Sequence, residues 1–590
     1  MIEGDPIANV LYVDLSRKRF WVKQRPELFE KYIGGVGVGI RLLLEESPQG
    51  VDPLSPENPI IFVVGQLTGF FPLASKTVAL FKSPHTGNLG ESHAGGRSAI
   101  AIRMAGYGAI VIKGASDTPV YLAITEDEVR FRDASVLWGV SSSYTVGRIV
   151  REREGGAGIR TIMRIGKAGE NLVTYACVVT ETYRHFGRLG LGAVFGSKKL
   201  KALMVAGKRS IKPRDSKLYR EIYKELFDTL TKSKLMKKYH ELGTPMNILP
   251  LNELKALPTR NLTSASFEKA EKVSGESFAE KHLGRRVACA HCPVSCIHIA
   301  ALREPYEHEP YFYKTRMISY DYELIYALGS MLGIGSTEGV LKLIDEIEIL
   351  GLDAISTGVC LAWATEMRLR GLVSDEQLGG VKLEWGNHEA YIKAVRLLVE
   401  KATPFYEALS KGVEHASKIY GGREFALAFG GNEMAGYHTG PATYVGFSVG
   451  SRHSHLDNAG YSIDQHMFKK GEKPTVEGVV EEIFREESWR QILSSLVVCF
   501  FARGVYTPET VARTLKVFGY DLTPDSLMEL GREILKHKYE FKFREGFSLK
   551  NLRLPERIFE TPTPHGSLSK EFLAEALNLY GSKIEELLKG

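Results

Sequence analysis

Cysteine is scarce in this chain, with six residues in 590 positions. That is too few for disulfides to hold together a protein of this length. Long apolar runs are missing too. None reaches the ~18 residues of a membrane-spanning helix, so no span is expected. The opening, MIEGDPIANVLYVDL, has no basic segment ahead of a long apolar one. No secretion signal is therefore expected, which places the chain in the cytoplasm, where thiols stay reduced. Nor is there a strong excess of one charge: the net is +6 and the pI near 8.7. No segment reads as a basic stripe or a nucleic-acid module, so nucleic acid is excluded as a partner. The mild basic balance serves solubility or docking of an acidic partner. Fixed-period repeats and low-complexity tracts are absent.

What is present is ordinary in bulk, 44% apolar and 25% charged, at a length that predicts two to four domains. Residues 1–208 read as β. NVLYVDLS, RFWVKQ, PIIFVVG, TVALFKS, AIVIKGA and VYLAI are short β-branched or aromatic runs cut by turn residues. Glycine is dense here, in IGGVGVGI, SHAGGRSA and GRLGLGAVFGSKK, where it permits positive φ or the close approach of backbone to a ligand. Beyond 208 the apolar residues fall at helical spacing, as in KLYREIYKELFDTLTKSKLMKKYHEL and SLMELGREILKHKY. The expectation is an α+β protein: a β-rich domain over 1–208, then mainly helical domains over 209–425 and 426–590.

Three of the six cysteines, Cys289, Cys292 and Cys296, crowd into VACAHCPVSCIHIA. In a reducing compartment such a cluster points to metal. C-x2-C-x3-C suits a [4Fe–4S] cluster, whose fourth thiolate can lie far away in sequence, here Cys360 or Cys499. Zinc is the alternative, with His291 or His298 completing the set at irregular spacing. Inert thiols are the third reading.

The glycine-rich segments and the cysteine triple together resemble the tungsten-containing aldehyde ferredoxin oxidoreductases. YIGGVGVGIRLLLEESPQGVDPLSPENPIIFVVGQLTG, AGGRSAIAIRMAGYGAIVIKG, IGKAGENLVTYACVV, RHFGRLGLGAVFGSKKLKALMV, YDYELIYALGSMLGI, the cysteines and FKFREGF follow the family's order over nearly the whole chain. The resemblance implies a β base domain carrying a tungsten bis-pterin, with magnesium bridging the pterin phosphates and two helical domains closing over it. It also implies a [4Fe–4S] cluster on Cys289, Cys292, Cys296 and Cys499, leaving Cys177 and Cys360 to the core.

The same resemblance implies the cofactor contacts. Two related turns would hold the pterins. The first is EILGLD, with Glu348, Gly351, Leu352 and Asp353. The second is SSLVVC, with Ser494, Val498 and Cys499. Glu348 stands where the family pattern has aspartate, Ser494 where it has an acid, and Val497 where it has glycine, so backbone groups would serve at the second turn. Lys76 takes the place of an arginine linking pterin and cluster. Gly95 and Gly96 would admit a pterin phosphate, and Arg184 would pair with it. Two residues are catalytic candidates. Glu323, an acid in an apolar segment, is costly unless it is used or satisfied. His455 lies in GSRHSHLDNAGY, where the family places a histidine near tungsten. His453 is the alternative in register, and His438 in AGYHTGP comes third.

The implied function is oxidation of an aldehyde to a carboxylic acid, with electrons passing through the cluster to a ferredoxin or a dedicated iron–sulfur subunit. A homodimer is compatible with the resemblance. Two other readings stand beside it: the tungsten subunit of a benzoyl-CoA reductase complex, and a zinc-stapled binding protein without catalysis.

Overall fold

The computed structural model of the protein describes residues 5–140, 142–155, 158–181 and 183–589. The alternating apolar runs of the first third form two six-stranded sheets. The first runs in the order Arg19–Gln24, Asn9–Asp14, Ala109–Lys113, Ile60–Val63, Thr77–Lys82, Leu89–Ala94. The second runs Arg184–Phe186, Val178–Thr180, Ile159–Arg164, Leu200–Gly207, Val120–Ile124, Val129–Asp133. Each contains one parallel pair, Asn9–Asp14 with Ala109–Lys113 and Leu200–Gly207 with Val120–Ile124.

Side-chain alternation decides what each face covers. Leu11, Val13, Phe62, Ile110 and Ile112 point at the second sheet and meet Leu122, Met163, Val178, Leu203 and Val205. Their neighbours Val10, Tyr12, Ile61, Val63 and Val111 point the other way, into a core shared with Ile492, Leu493, Leu527 and Ile534. The late helices Val476–Ser495 and Pro524–Arg544 thus cover the outer face of the first sheet. A separate and larger core joins the remaining helices, among them Tyr322–Leu328, Thr337–Leu350, Ala354–Leu369 and Pro441–Val449. Among the described residues no single helix is long and apolar enough to cross a membrane.

The IGGVGVGI glycines approach protein backbone. Gly34 and Gly35 have φ of 116° and 39°, and a Cβ on Gly35 would lie 2.2 Å from the Ser494 carbonyl oxygen. A Cβ on Gly65 would lie 2.7 Å from the Ser495 oxygen. These glycines seat the end of helix Val476–Ser495, and with it the chain that runs on to Cys499. Gly35→Ala should therefore cost about 1–3 kcal/mol or more through overpacking and left-handed strain. Chemical denaturation reads that loss.

One element of the later chain departs from the helical expectation. Leu283–Val287, Ile297–Tyr306 and Glu309–Tyr320 form a three-stranded antiparallel sheet. Its long hairpin reaches into solvent, with Tyr311 93% and Phe312 64% exposed. The run PYFYKTRMISY carries the aromatic and β-branched signal for it.

Candidate active site: a two-lobed cavity beside four cysteines

The two turns implied to hold pterins have the same backbone form. Helix Thr337–Leu350 ends at Gly351 with φ 77°, and the Leu352 N–H donates back to the Ile347 carbonyl. Helix Val476–Ser495 ends with Val497 at φ 55°, and the Val498 N–H donates back to the Leu493 carbonyl. Both are the helix-ending motif that usually employs glycine. Val497 holds the left-handed conformation despite its branched side chain, which is fully buried against the first sheet.

The docking of the two turns is also alike. The Asp353 N–H donates to the Tyr175 carbonyl and the Cys177 N–H to the Gly351 carbonyl. The Cys499 N–H donates to the Leu73 carbonyl and the Lys76 N–H to the Val497 carbonyl. One turn is thus fastened beside the second sheet and the other beside the first. The substitutions at Ser494 and Val497 leave the backbone of the second turn intact.

Each turn borders its own lobe of a cavity. A lobe of about 270 Å³ is lined by Glu348, Leu352 and Asp353, together with Cys177, His185 and Arg188. A lobe of about 280 Å³ is lined by Lys76, Val498 and Cys499, with Cys289, Cys292 and Cys296. His93, Arg184, Asp321, Glu323, Arg452 and His455 border both. The lobes therefore meet at a floor of titratable side chains. Ser494, Gly95 and Gly96 line neither lobe. A Cβ on Gly95 would lie 2.7 Å from the Cys289 sulfur, and the Ala290 N–H donates to the Gly96 carbonyl. This glycine pair makes room for the cysteine loop.

Glu323 and His455 come together at the shared floor. Glu323 sits in the first turn of helix Tyr322–Leu328, and its Oε2 accepts from the Gly436 N–H. His455 opens the short helix His455–Asn458, capped by Ser454. The His455 Nε2 lies 3.4 Å from Glu323 Oε1. Burial raises the Glu323 carboxyl to about 8. Burial, with Arg188 nearby, lowers His455 to about 3. Both shifts favour the neutral forms, so near pH 7 the carboxyl carries a proton and the imidazole does not. His453 is spent elsewhere, between the Phe447 carbonyl and the Lys542 ammonium. His438 is held by Tyr444 and the Thr561 carbonyl. Neither borders the cavity.

Sequence patterns did not single out the charged frame behind this pair. Arg452 lies 2.6 Å from Asp457 and 3.6 Å from Glu91, while Lys538 and His93 also contact Glu91. The flanking positions in SHAGGRSA and RHSHLDN were the available signal. Arg188 grips Asp353 through its Nε at 3.0 Å. Asp353 also caps the following helix through Ile355.

The residues fit the implied groups. Among the described residues, Glu323 Oε1, His455 Nδ1, Arg184 Nε and Arg188 Nη1 are buried without a hydrogen-bond partner. Such atoms are expensive unless a ligand satisfies them. Burial, reinforced by neighbouring thiols, pushes Cys292 up to about 12; burial likewise raises Cys296 to about 11, against the pull of Arg184. Four thiolates here would need more positive charge than Lys76 and Arg184 provide, which the iron of a cluster would supply. No three His, Cys, Asp or Glu side chains among the described residues converge tightly enough for a single metal ion. A tetrahedral zinc needs such convergence at a Zn–S distance of about 2.3 Å, whereas a cubane takes one thiolate per corner. Cys360 is fully buried in the core, whereas Cys177, also buried, lines the first-turn lobe.

Comparisons with known proteins agree on one family. Residues 10–207 match the family model for the aldehyde ferredoxin oxidoreductase N-terminal domain, and residues 221–583 match that for domains 2 and 3. The tungsten-containing aldehyde ferredoxin oxidoreductase of Thermococcus kodakarensis is 32% identical over 578 residues, 95% of this chain and 92% of that protein. The aliphatic sulfonate oxidoreductase, WOR-like subunit, of Pyrococcus furiosus is 30% identical over 557 residues, 90% of this chain and 84% of that protein. The solved active site complex BamBC of benzoyl coenzyme A reductase, with 1,5 dienoyl-CoA, shares the fold. Its TM-score is 0.82 at 22% identity, covering 98% of this chain and 94% of that one.

Proposed function

This chain belongs to the aldehyde ferredoxin oxidoreductase family of tungsten-containing enzymes, and from that premise we propose that it oxidises aldehydes to carboxylic acids. The observation that carries the reading is the neutral Glu323–His455 pair where the two lobes meet, next to four cysteines. When bound, the tungsten bis-pterin supplies the two-electron oxidation. The chain's own residues bind and orient. The two turns would hold one pterin each, and Lys76 and Arg184, which line the lobe of the cysteines, would supply cationic contacts to the pterin and the cluster, with magnesium as a further cofactor. The apolar wall of Tyr437, Tyr461, Leu456 and Phe500 excludes water from the substrate. The Glu323 carboxyl holds a proton toward the aldehyde oxygen, and the neutral His455 imidazole would orient the substrate by a hydrogen bond. Cys289, Cys292, Cys296 and Cys499 would hold the [4Fe–4S] cluster through which electrons leave.

The partner on this reading is an acidic ferredoxin or iron–sulfur subunit, meeting the chain's net +6 in the cytoplasm. Its reduction rate should fall as salt rises, since exposed charges are screened beyond roughly 8–10 Å at physiological ionic strength. A salt-independent rate with every acidic acceptor would sink the electrostatic docking. The substrate reading is tested by an anaerobic panel of aliphatic and aromatic aldehydes, aliphatic sulfonates and benzoyl-CoA. Reduction of an electron acceptor by aldehydes is expected. Turnover of sulfonates alone, or ring reduction of benzoyl-CoA alone, would move the enzyme to another branch of its family.

A further inference from the structure

Aldehyde oxidation consumes one aldehyde and one water. A C–H bond is broken and a C–O bond formed, and two electrons and two protons leave. The electrons have the cysteine quartet and an iron–sulfur acceptor; the protons must also leave a buried cavity. A continuous line of buried hydrogen-bonding groups starts at Asp353 on the wall of the first-turn lobe. Asp353 Oδ2 lies 2.6 Å from the Ser356 hydroxyl, and that same hydroxyl lies 2.6 Å from Glu433 Oε2. Glu433 Oε2 lies 2.8 Å from His85 Nε2, and His85 Nδ1 lies 2.9 Å from the Thr174 hydroxyl. His85 and Thr174 border a second cavity of about 540 Å³ with Lys411 and Lys418 on its rim, side chains 43% and 56% exposed.

Two features separate this line from a static network. Ser356 has one hydroxyl hydrogen but faces two carboxylate oxygens at hydrogen-bond distance, so rotation of that hydroxyl switches its bond between Asp353 and Glu433. The Thr174 hydroxyl donates to the Ser410 carbonyl, leaving its lone pair for a proton on His85 Nδ1, while Nε2 faces Glu433. His85 thus presents Nε2 to Glu433 and Nδ1 to Thr174, so its ring can take a proton on one side and release one on the other. Glu433, drawn down to about 2 against its burial, chiefly by His85 and then by Ser356 and Arg188, is a resting anion that can accept a proton. Also facing the line are the Arg188 guanidinium, the Val413 N–H, the Cys360 thiol and the Tyr175 ring. Gly412, at φ 95°, leaves room for His85, whose Cε1 a Cβ there would approach to 2.5 Å.

We propose that Asp353, Ser356, Glu433 and His85 form a proton relay between the cofactor cavity and the surface groove at Thr174. The relay rests on the aldehyde-oxidising reading for its task, while its hydrogen-bonded line does not. Protons released in the cavity reach Asp353, pass through Ser356 and Glu433 to His85, and leave at the groove. Ser356, Glu433 and His85 act through Asp353 and are positioning residues.

Two measurements test it. In stopped-flow with an aldehyde, cluster bleaching reads electrons and a pH indicator reads protons. Glu433→Gln and Ser356→Ala should slow proton appearance about 10-fold or more relative to cluster reduction, below the ~10²–10⁴ of a direct acid–base group. The solvent isotope effect should rise in both, and added imidazole should restore His85→Ala. Proton appearance at the wild-type rate in all three variants would overturn the relay. A wild-type enzyme whose cluster none of the aldehydes bleaches would instead overturn the substrate reading. The second measurement needs no substrate. In infrared spectra the carboxylate band that is lost in Glu433→Gln should be shifted in Ser356→Ala, which removes its hydroxyl partner. An unshifted band in Ser356→Ala would overturn the connection through Ser356.

Discussion

Glu323→Gln is expected to retain tungsten and iron and to lose about 10²–10⁴-fold in aldehyde turnover, or roughly 3–5 kcal/mol of barrier. The amide preserves the contact with the Gly436 N–H but cannot give up a proton. His455→Ala should lose a similar factor, and His453→Ala should be milder, since its ring is engaged by Phe447 and Lys542. The pH profile separates a chemical role from a packing role. With Glu323 raised to about 8 and His455 lowered to about 3, the neutral pair spans the range between. Turnover should fall above about pH 8 in the wild type, and that limb should vanish in Glu323→Gln. Full activity in Glu323→Gln would make the carboxyl structural.

The same shifts act on stability. Glu323 is raised above its ordinary 4.5, so its stabilising contribution is complete below that value and is lost as pH rises through about 8. His455 is depressed from 6.5, so its contribution is present above 6.5 and is lost as pH falls toward about 3. The protein without cofactor should accordingly unfold more readily toward both ends of that window.

Cys499→Ala is expected to strip or damage the [4Fe–4S] cluster, while Cys360→Ala leaves it intact. Cys499 borders the same lobe as the triple, and its backbone is fixed by the bond to Leu73. Cys360 is buried in helix Ala354–Leu369, 3.9 Å from Glu433. The readout is iron per chain with the low-temperature spin signal of the reduced cluster. Loss of the signal in Cys360→Ala with its retention in Cys499→Ala would contradict the assignment.

Local pattern carried the parts of this protein that local physics determines. Short β-branched and aromatic runs such as NVLYVDLS made the strands of the first sheet legible, and the cysteine spacing made the triple legible. Val497 shows the limit of propensity. A branched residue argues against a left-handed turn, yet the Leu493–Val498 hydrogen bond and full burial hold it there. What stayed hidden was set by contacts between residues far apart in sequence. Nothing near Glu323 announces His455, which the family resemblance and no local pattern put forward, and nothing near Glu91 announces Arg452 and Lys538. The covering of the first sheet by Val476–Ser495 was hidden for the same reason, although the glycines of IGGVGVGI record how closely that helix docks. The hairpin escaped although PYFYKTRMISY carries a strand signal, because it lies among segments with helical spacing; its tip points to solvent while Ile299, Ile318 and Tyr320 at its base are buried.

The most direct test of the account is metal analysis of anaerobically purified protein followed by addition of an aldehyde. The account predicts tungsten with pterin, iron and sulfide in the proportion of one four-iron cluster per chain, and bleaching of that cluster when the aldehyde is added. Zinc in place of iron, with no tungsten or molybdenum, would contradict it.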